Sequence, residues 1–363
     1  MSYCTNIKYS HYSSNAGNFE EMLDDLFSQI EVEQEILRIV LFYAPDNNEE
    51  YAKQYSLLKE QVSRKFGNRQ PALEYVAQKP LNASMVMEVH SYKLGETDSV
   101  SYKNDRGCNY VVIETAQGKH LFAGGWQTDL TKDLYRQAQE TFEHIGHLLA
   151  KEQMPVNAIV RQWNYVEKIT ANDHAGQHYQ MFNNARSEFY ARCTWNNGYP
   201  AATGIGTAWG GIKIDLDAVT FTDRQSMSLP IDNQLQIAAH KYSDDVLVKA
   251  NSHKSTPKFE RARSLNISGE KLIYISGTAA IRGENSLSHL DPPHQLDIVL
   301  ENIACLINQT PLKMLRVYLK HKESYEEVRS RMTAITGKIP VAFLLADVCR
   351  EELLIEIEGI ALT

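Results

Sequence analysis

Cysteine is sparse and unpatterned in this chain of 363 residues. There are five, Cys4, Cys108, Cys193, Cys305 and Cys349, an odd number with no CxxC pair and no Cys/His ligand spacing. That argues against a disulfide framework and against a structural zinc. Basic residues are also short, 37 Lys and Arg against 45 Asp and Glu for a net charge of −8. A general nucleic-acid binder needs a cationic excess to neutralise phosphates, and none exists here, although a local cationic pocket for a small anion remains open. No apolar run approaches the ~18–20 residues of a membrane span. The opening residues, MSYCTNIKYSHYSSN, carry no apolar h-region, so a soluble, reducing, cytoplasmic protein is expected. Neither GxGxxG nor P-loop spacing occurs. The histidines lack metal spacing: His174, His178, His253, His289 and His294 read as surface or loop residues, and His144 and His147 find no third ligand. No metal is expected.

What remains is an ordinary globular composition, 43% hydrophobic and 23% charged, long enough for two or three domains. Residues 1–15 read as an irregular lead-in. Apolar residues at helical spacing (Phe19, Met22, Leu23, Leu26, Phe27, Ile30) predict a helix over residues 18–36. A strand LRIVLFY, a helix over 49–65 stopped by Gly67 and Asn68, a strand PALEYVA and a strand MVMEVHSY follow. The C-terminal third repeats this order: strand LRVYL, helix 325–336, strand PVAFLLADV, and a last strand within LLIEIEGIALT. The middle repeats it again. HLFAGGW parallels LIYISGT, each followed by an amphipathic helix (130–151 and 294–308), and the helix holding Tyr179–Tyr190 parallels the one opening at Tyr325. The pattern predicts three β-α-β repeats of about 100 residues that pack as domains, the first lacking its opening hairpin. Linkers are expected near 95–107 and 218–258.

The last strand carries Glu356 and Glu358 between apolar residues. A carboxylate on a strand entering a core is costly unless it has a partner or a task. Residues two apart share a strand face, so both the paired structural carboxylate and the catalytic acid are open readings for either residue.

LIYISGTAAI, a helix containing Gln295, RVYLKHKESYEEVRSRM and IEIEGIAL together resemble the Rid/YjgF family, small α+β proteins that form trimers with a pocket at each interface. RQWNYVEKI (161–169), YPAATGIG (199–206) and FERA (259–262), with DVCREELLIEIEG, resemble the chorismatases over about 200 residues. The resemblance implies an α+β, chorismate mutase-like fold of repeated Rid/YjgF-like units forming an internal pseudo-trimer. Its segments would be a partial repeat at 1–95, a second at 96–217, a linker or insertion at 218–258, and a C-terminal domain at 259–363 carrying the catalytic Glu. It implies cleavage of the enolpyruvyl ether of chorismate to pyruvate and a ring product, with no cofactor, since acid and water suffice. The expected partner is the small molecule alone, without nucleic acid or membrane. A chain that holds its pseudo-trimer internally is expected to be a monomer.

The family register selects Glu356 as the acid. Chorismate is a dianion, so cationic sub-sites are needed. Arg161, Arg186, Arg261 and Arg329 are the candidates, with Tyr199 and Thr203 as hydroxyl donors beside a Gly-rich bend. Cys349, at its spacing from Glu356, resembles the branch that returns 3-hydroxybenzoate. Ala262 resembles the branch that forms a dihydrodiol, and 4-hydroxybenzoate is a third product. Two other readings are an imine deaminase, disfavoured by Val341-Ala342-Phe343 where the Rid family places an arginine, and a non-catalytic small-anion-binding protein.

Overall fold

The computed structural model describes residues 3–31, 33–173, 176–243 and 255–363. His174 and His253, expected on surface loops, lie outside these. Three mixed sheets, each covered on one face by helices, make an α+β architecture. The first unit runs β1 (Ile7–Ser14), α1 (Phe19–Ser28), β2 (Glu35–Tyr43), α2 (Asn48–Phe66), β3 (Ala72–Ala77) and β4 (Met85–Tyr92), with sheet order β1-β4-β2-β3. The second runs β5 (Ser99–Asp105), β6 (Cys108–Thr115), β7 (Gly118–Ala123), α3 (Leu134–Lys151), β8 (Ile159–Glu167), α4 (His178–Tyr190), β9 (Ala201–Thr207) and β10 (Ile212–Phe221), in the order β9-β8-β10-β7-β6-β5. The third runs β11 (Met227–Ile231), β12 (Ala262–Ile267), β13 (Glu270–Ala279), α5 (Pro292–Ile307), β14 (Leu312–Leu319), α6 (Tyr325–Thr336), β15 (Val341–Leu345) and β16 (Ile355–Leu362). Its order is β11-β12-β13-β16-β14-β15, and the short Lys79–Pro80 strand of the first unit extends its far edge.

Local chemistry sets the helix limits. Asn18 caps α1 in a capping box with Glu21, and Asn47, Asp133 and Asp291 cap α2, α3 and α5 through side-chain oxygens. Helix α1 ends at Ser28, earlier than the periodicity predicts, because Glu35 and Ile36 are drawn into β2 beside β4. The N-terminus differs more. Residues expected as an irregular lead-in form β1, antiparallel to β4 over its whole length. Its one-sided alternation, with Ile7 and Tyr9 buried and Lys8 exposed, is weak in a stretch so rich in Ser and Tyr. The stretches expected as linkers also hold edge strands, β5 in 95–107 and β11 in 218–258; residues 244–254 of the second lie outside the described residues.

Each sheet buries one face under its own helices. The opposite faces meet in a common interior of residues from all three, including Val40, Phe42, Trp163, Tyr165, Tyr318 and Leu344. Three buried arginines stand in that interior, one on each of β2, β8 and β14. Arg38 donates to Asp217 on β10 (2.7 Å), Arg161 to Glu358 on β16, and Arg316 to both oxygens of Glu88 on β4 (2.8 and 2.6 Å). Each arginine thus reaches a carboxylate of a different sheet, and the three contacts close a circuit through the molecule. The indole of Trp163 lies at its centre, with the three guanidinium carbons 4.8, 4.6 and 5.5 Å from the ring.

Candidate active site

Strand β16 places Glu356 and Glu358 on one face, and their surroundings separate them. Glu358 is fully engaged. It accepts from Arg316 Nη1 (3.0 Å) and Tyr318 Oη (2.6 Å) on one oxygen, and from Arg161 and Thr203 on the other. It is the paired structural carboxylate. Glu356 is equally buried, yet among the described residues no hydrogen-bond donor reaches it. It faces a cavity of about 730 Å³, part of it open to solvent, between the second and third units. Burial pushes its carboxyl up to about 8. The charge of Glu358 adds to the rise, and Arg161 and Arg261 oppose it.

Glycine makes room for this acid. The β13–β16 register shifts between Ile275 and Thr278, and a Cβ on Gly277 would stand 2.1 Å from Glu356 Oε1. Gly204 on β9 likewise admits the ring of Tyr179, which a Cβ there would meet at 2.9 Å. At Gly206 the backbone itself approaches closely: its N–H donates to Asp347 (2.8 Å), tying the loop that carries Cys349 onto β9. The YPAATGIG segment therefore serves close packing, within the second unit at Gly204 and between units at Gly206, and its Ala202 and Gly204 line the cavity.

Cys349 lines the cavity. Burial, then the neighbouring Glu356, pushes its thiol up to about 12 against the effect of Arg350, so it stays protonated at neutral pH. Arg261 also lines the cavity, with Nε and Nη2 on the carbonyl of Ile237 (3.3 and 2.8 Å) and Nη2 on the hydroxyl of Tyr242. Arg161 gives Nη2 to Thr203 (2.7 Å) and Glu358, while its buried Nη1 has no partner among the described residues. Thr203 accepts from Gly277 N–H (3.0 Å) and donates to Glu358, so its hydroxyl is already used. Arg186 is buried without an ion pair: Nη2 donates to Asn183 (2.5 Å) and Nε has no partner. A buried guanidinium without a counter-ion is costly, and an anion in the adjoining cavity is the natural partner.

Three expected residues stand elsewhere. Tyr199 stacks on Tyr190 (centroids 5.8 Å apart, planes at 12°) and is not among the residues lining the cavity. Ala262 opens β12 directly after Arg261 and turns into the core under α5 and α6. Arg329 is a correction. Helix α6 buries only Val328 and Met332, and Arg329 is half exposed, paired with Glu326 (2.9 Å) one turn away. It does not reach the cavity. Arg329→Ala is expected to leave the urea midpoint where it is in the parent; a clear shift of that midpoint would overturn its surface assignment.

Sequence reasoning missed Tyr179, Asn183 and Tyr242 and gave Arg350 no role, yet all four line the cavity. Tyr179 stood out only as a repeat marker. Tyr242 lies in a polar stretch with no periodicity to flag it.

Residues 87–218 match the family described as chorismatase FkbO/Hyg5-like, N-terminal. A 3-hydroxybenzoate synthase of Streptomyces hygroscopicus is 27% identical over 297 residues, 74% of this chain and 78% of that protein. A chorismatase of Streptomyces rapamycinicus is 33% identical over 223 residues, 56% of this chain and 64% of that protein. In fold, the chain is similar to a chorismatase crystal structure at 1.08 Å resolution, with a TM-score of 0.71 over 98% of both chains at 21% identity.

Proposed function

We propose that the chain is a chorismatase, in keeping with the family match and the relatives, and that it cleaves the enolpyruvyl ether of chorismate with Glu356 as general acid. The observation that carries this is the carboxyl of Glu356: buried, facing the cavity, without a hydrogen-bond donor and with its proton held to about pH 8. Enol-ether cleavage needs a proton delivered to the terminal methylene carbon, which requires a carboxylic acid still protonated near neutrality. The C–H bond forms as the double bond opens, and the resulting oxocarbenium is resolved by water or a ring-derived nucleophile. Pyruvate leaves, and the proton lost in resolution returns to Glu356. Arg161, Arg186 and Arg261 bind the two substrate carboxylates, and the protonated thiol of Cys349 borders the reacting centre.

The ring product is 3-hydroxybenzoate, in keeping with Cys349 and with the name of one relative. Atoms balance without net water: chorismate gives pyruvate and 3-hydroxybenzoate, whereas the dihydrodiol retains one water. The three sheets are three Rid/YjgF-like units in an internal pseudo-trimer, bounded at 1–95, 96–217 and 259–363, and the protein is a cytoplasmic monomer. The shared order of hairpin, last strand and β-α-β pair in the second and third sheets supports this reading. No helix among the described residues is long and apolar enough to cross a membrane.

The test is pyruvate release from chorismate, with the ring product separated by chromatography and weighed by mass spectrometry. No pyruvate at high enzyme concentration sinks the reading, and a ring product one water heavier reassigns the branch. The pH profile follows from the acid. The proton is bound below about 8 and lost above it, so kcat/KM is expected to hold on the acid side and fall about tenfold per pH unit above that value. A profile that rises through pH 8 would show that Glu356 acts ionised.

A further inference from the structure

Among the described residues, two guanidinium groups line the cavity, Arg261 and Arg350. Arg261 is satisfied by the Ile237 carbonyl and the Tyr242 hydroxyl. Arg350 Nη1 donates to the carbonyl of Glu284 and the hydroxyl of Ser286, both at 3.0 Å. All of these partners are neutral. The carboxylate of Glu284 is committed elsewhere, with one oxygen on Ser243 N–H (2.8 Å) and the other on Ser243 Oγ (2.6 Å). Among the described residues neither guanidinium has a carboxylate in ion-pair range. Each has five N–H donors and uses only some of them on the protein.

Tyr242 joins the two. Its ring lies 5.4 Å from the guanidinium carbon of Arg261 and 5.2 Å from that of Arg350, and its hydroxyl accepts from Arg261. It is 8% exposed and lines the same cavity. Its segment is anchored to the turn that also holds Arg350: Ile237 N–H donates to Gly283 (2.8 Å), and Gly283 N–H to Leu235 (2.9 Å). The tyrosine, both arginines and the 281–286 hairpin thus brace one another on one wall.

Resting on the chorismate-cleaving reading, we propose that Arg350 is a further carboxylate-binding residue acting beside Arg261, and that Tyr242 is the positioning residue that fixes both guanidinium groups toward the substrate. The substrate is a dianion, and Arg350 adds to Arg186 and Arg261 another cation without an acid partner among the described residues. The planar fork of arginine suits a carboxylate bidentately, and the aromatic face holds both cations without neutralising them.

Steady-state pyruvate release by the full chain tests this. Arg350→Gln is expected to raise KM at least tenfold with kcat within threefold of the parent. Arg350→Lys, which keeps the charge and loses the fork, should raise KM at least threefold, and it decides the matter should the Gln variant fail to fold. Tyr242→Ala should raise KM at least fivefold. Tyr242→Phe, which keeps the ring beside both guanidinium groups, should recover most of that loss. A KM within twofold of the parent in the Arg350 variants overturns the binding role, and the same result in Tyr242→Ala overturns the positioning role. A fall in kcat at constant KM overturns both. Failure of the underlying reading shows differently, as no pyruvate from the parent protein. Calorimetric titration of chorismate into the parent and Arg350→Gln then reads the inference directly, and equal Kd values overturn it.

Discussion

Glu356→Gln is expected to lower pyruvate release by about a thousandfold while the protein stays folded. The amide matches the carboxyl in shape and cannot deliver a proton, and a positioned general acid contributes about 10²–10⁴-fold to such a step. The fold survives because Glu356 has no hydrogen-bond donor to lose among the described residues, and removing a desolvated carboxyl relieves a cost. The matched control is Glu358→Gln, two residues along the same strand. Glu358 holds Arg161, Arg316, Thr203 and Tyr318, so that variant should lose stability. Measuring kcat and the urea midpoint for both separates the roles. Glu356→Gln turning over within tenfold of the parent would remove it as the acid.

Arg316→Leu is expected to destabilise the protein by about 3 kcal/mol, the lower end of the cost of breaking a buried ion pair by removing one partner. Arg316 is the most completely enclosed of the three interior arginines and serves two acids, Glu88 through Nε and Nη2 and Glu358 through Nη1. Burial alone would raise the pKa of Glu88. Arg316, with the bonds from His11 and His90, holds it well below the usual carboxylate range. Without the guanidinium, the histidines still serve Glu88, and Arg161 and Tyr318 still serve Glu358, which keeps the loss from being larger. The measurement is the urea unfolding midpoint at neutral pH. An unchanged midpoint would mean that the circuit of arginines contributes nothing net to stability.

The same network shows where reading the chain in one dimension runs out. Arg38 and Arg316 stand at matching places in the strands LRIVLFY and LRVYL, which the sequence pairs as repeats and the structure places within β2 and β14. Arg161, at the same place on β8, was read as a substrate ligand from its motif. In the structure one arm of Arg161 is spent on Glu358, 197 residues away, and only Nη1 is left for an anion. The pairing of Glu88 with Arg316 spans 228 residues. No local pattern encodes which of two glutamates on one strand meets a cation and which meets a cavity.

Strands, helices and their order were legible in the sequence because they rest on short-range causes: period-two and 3.6-residue apolar spacing, Asn and Asp caps, glycine stops. The helix at Tyr325–Thr336 shows this directly. A carboxylate placed between isoleucines on the last strand was legible too, as an expense needing a reason. Tertiary structure alone decided the rest. Arg329 faces water because α6 buries just two residues, while Arg350 and Tyr242 face the cavity because a distant hairpin holds them there. Burial and the unpaired state of Glu356 depend on Gly277, on Glu358 and on arginines from two other segments of the chain. Electrostatics acts through space, and the distances that matter were set only when the three sheets closed around Trp163.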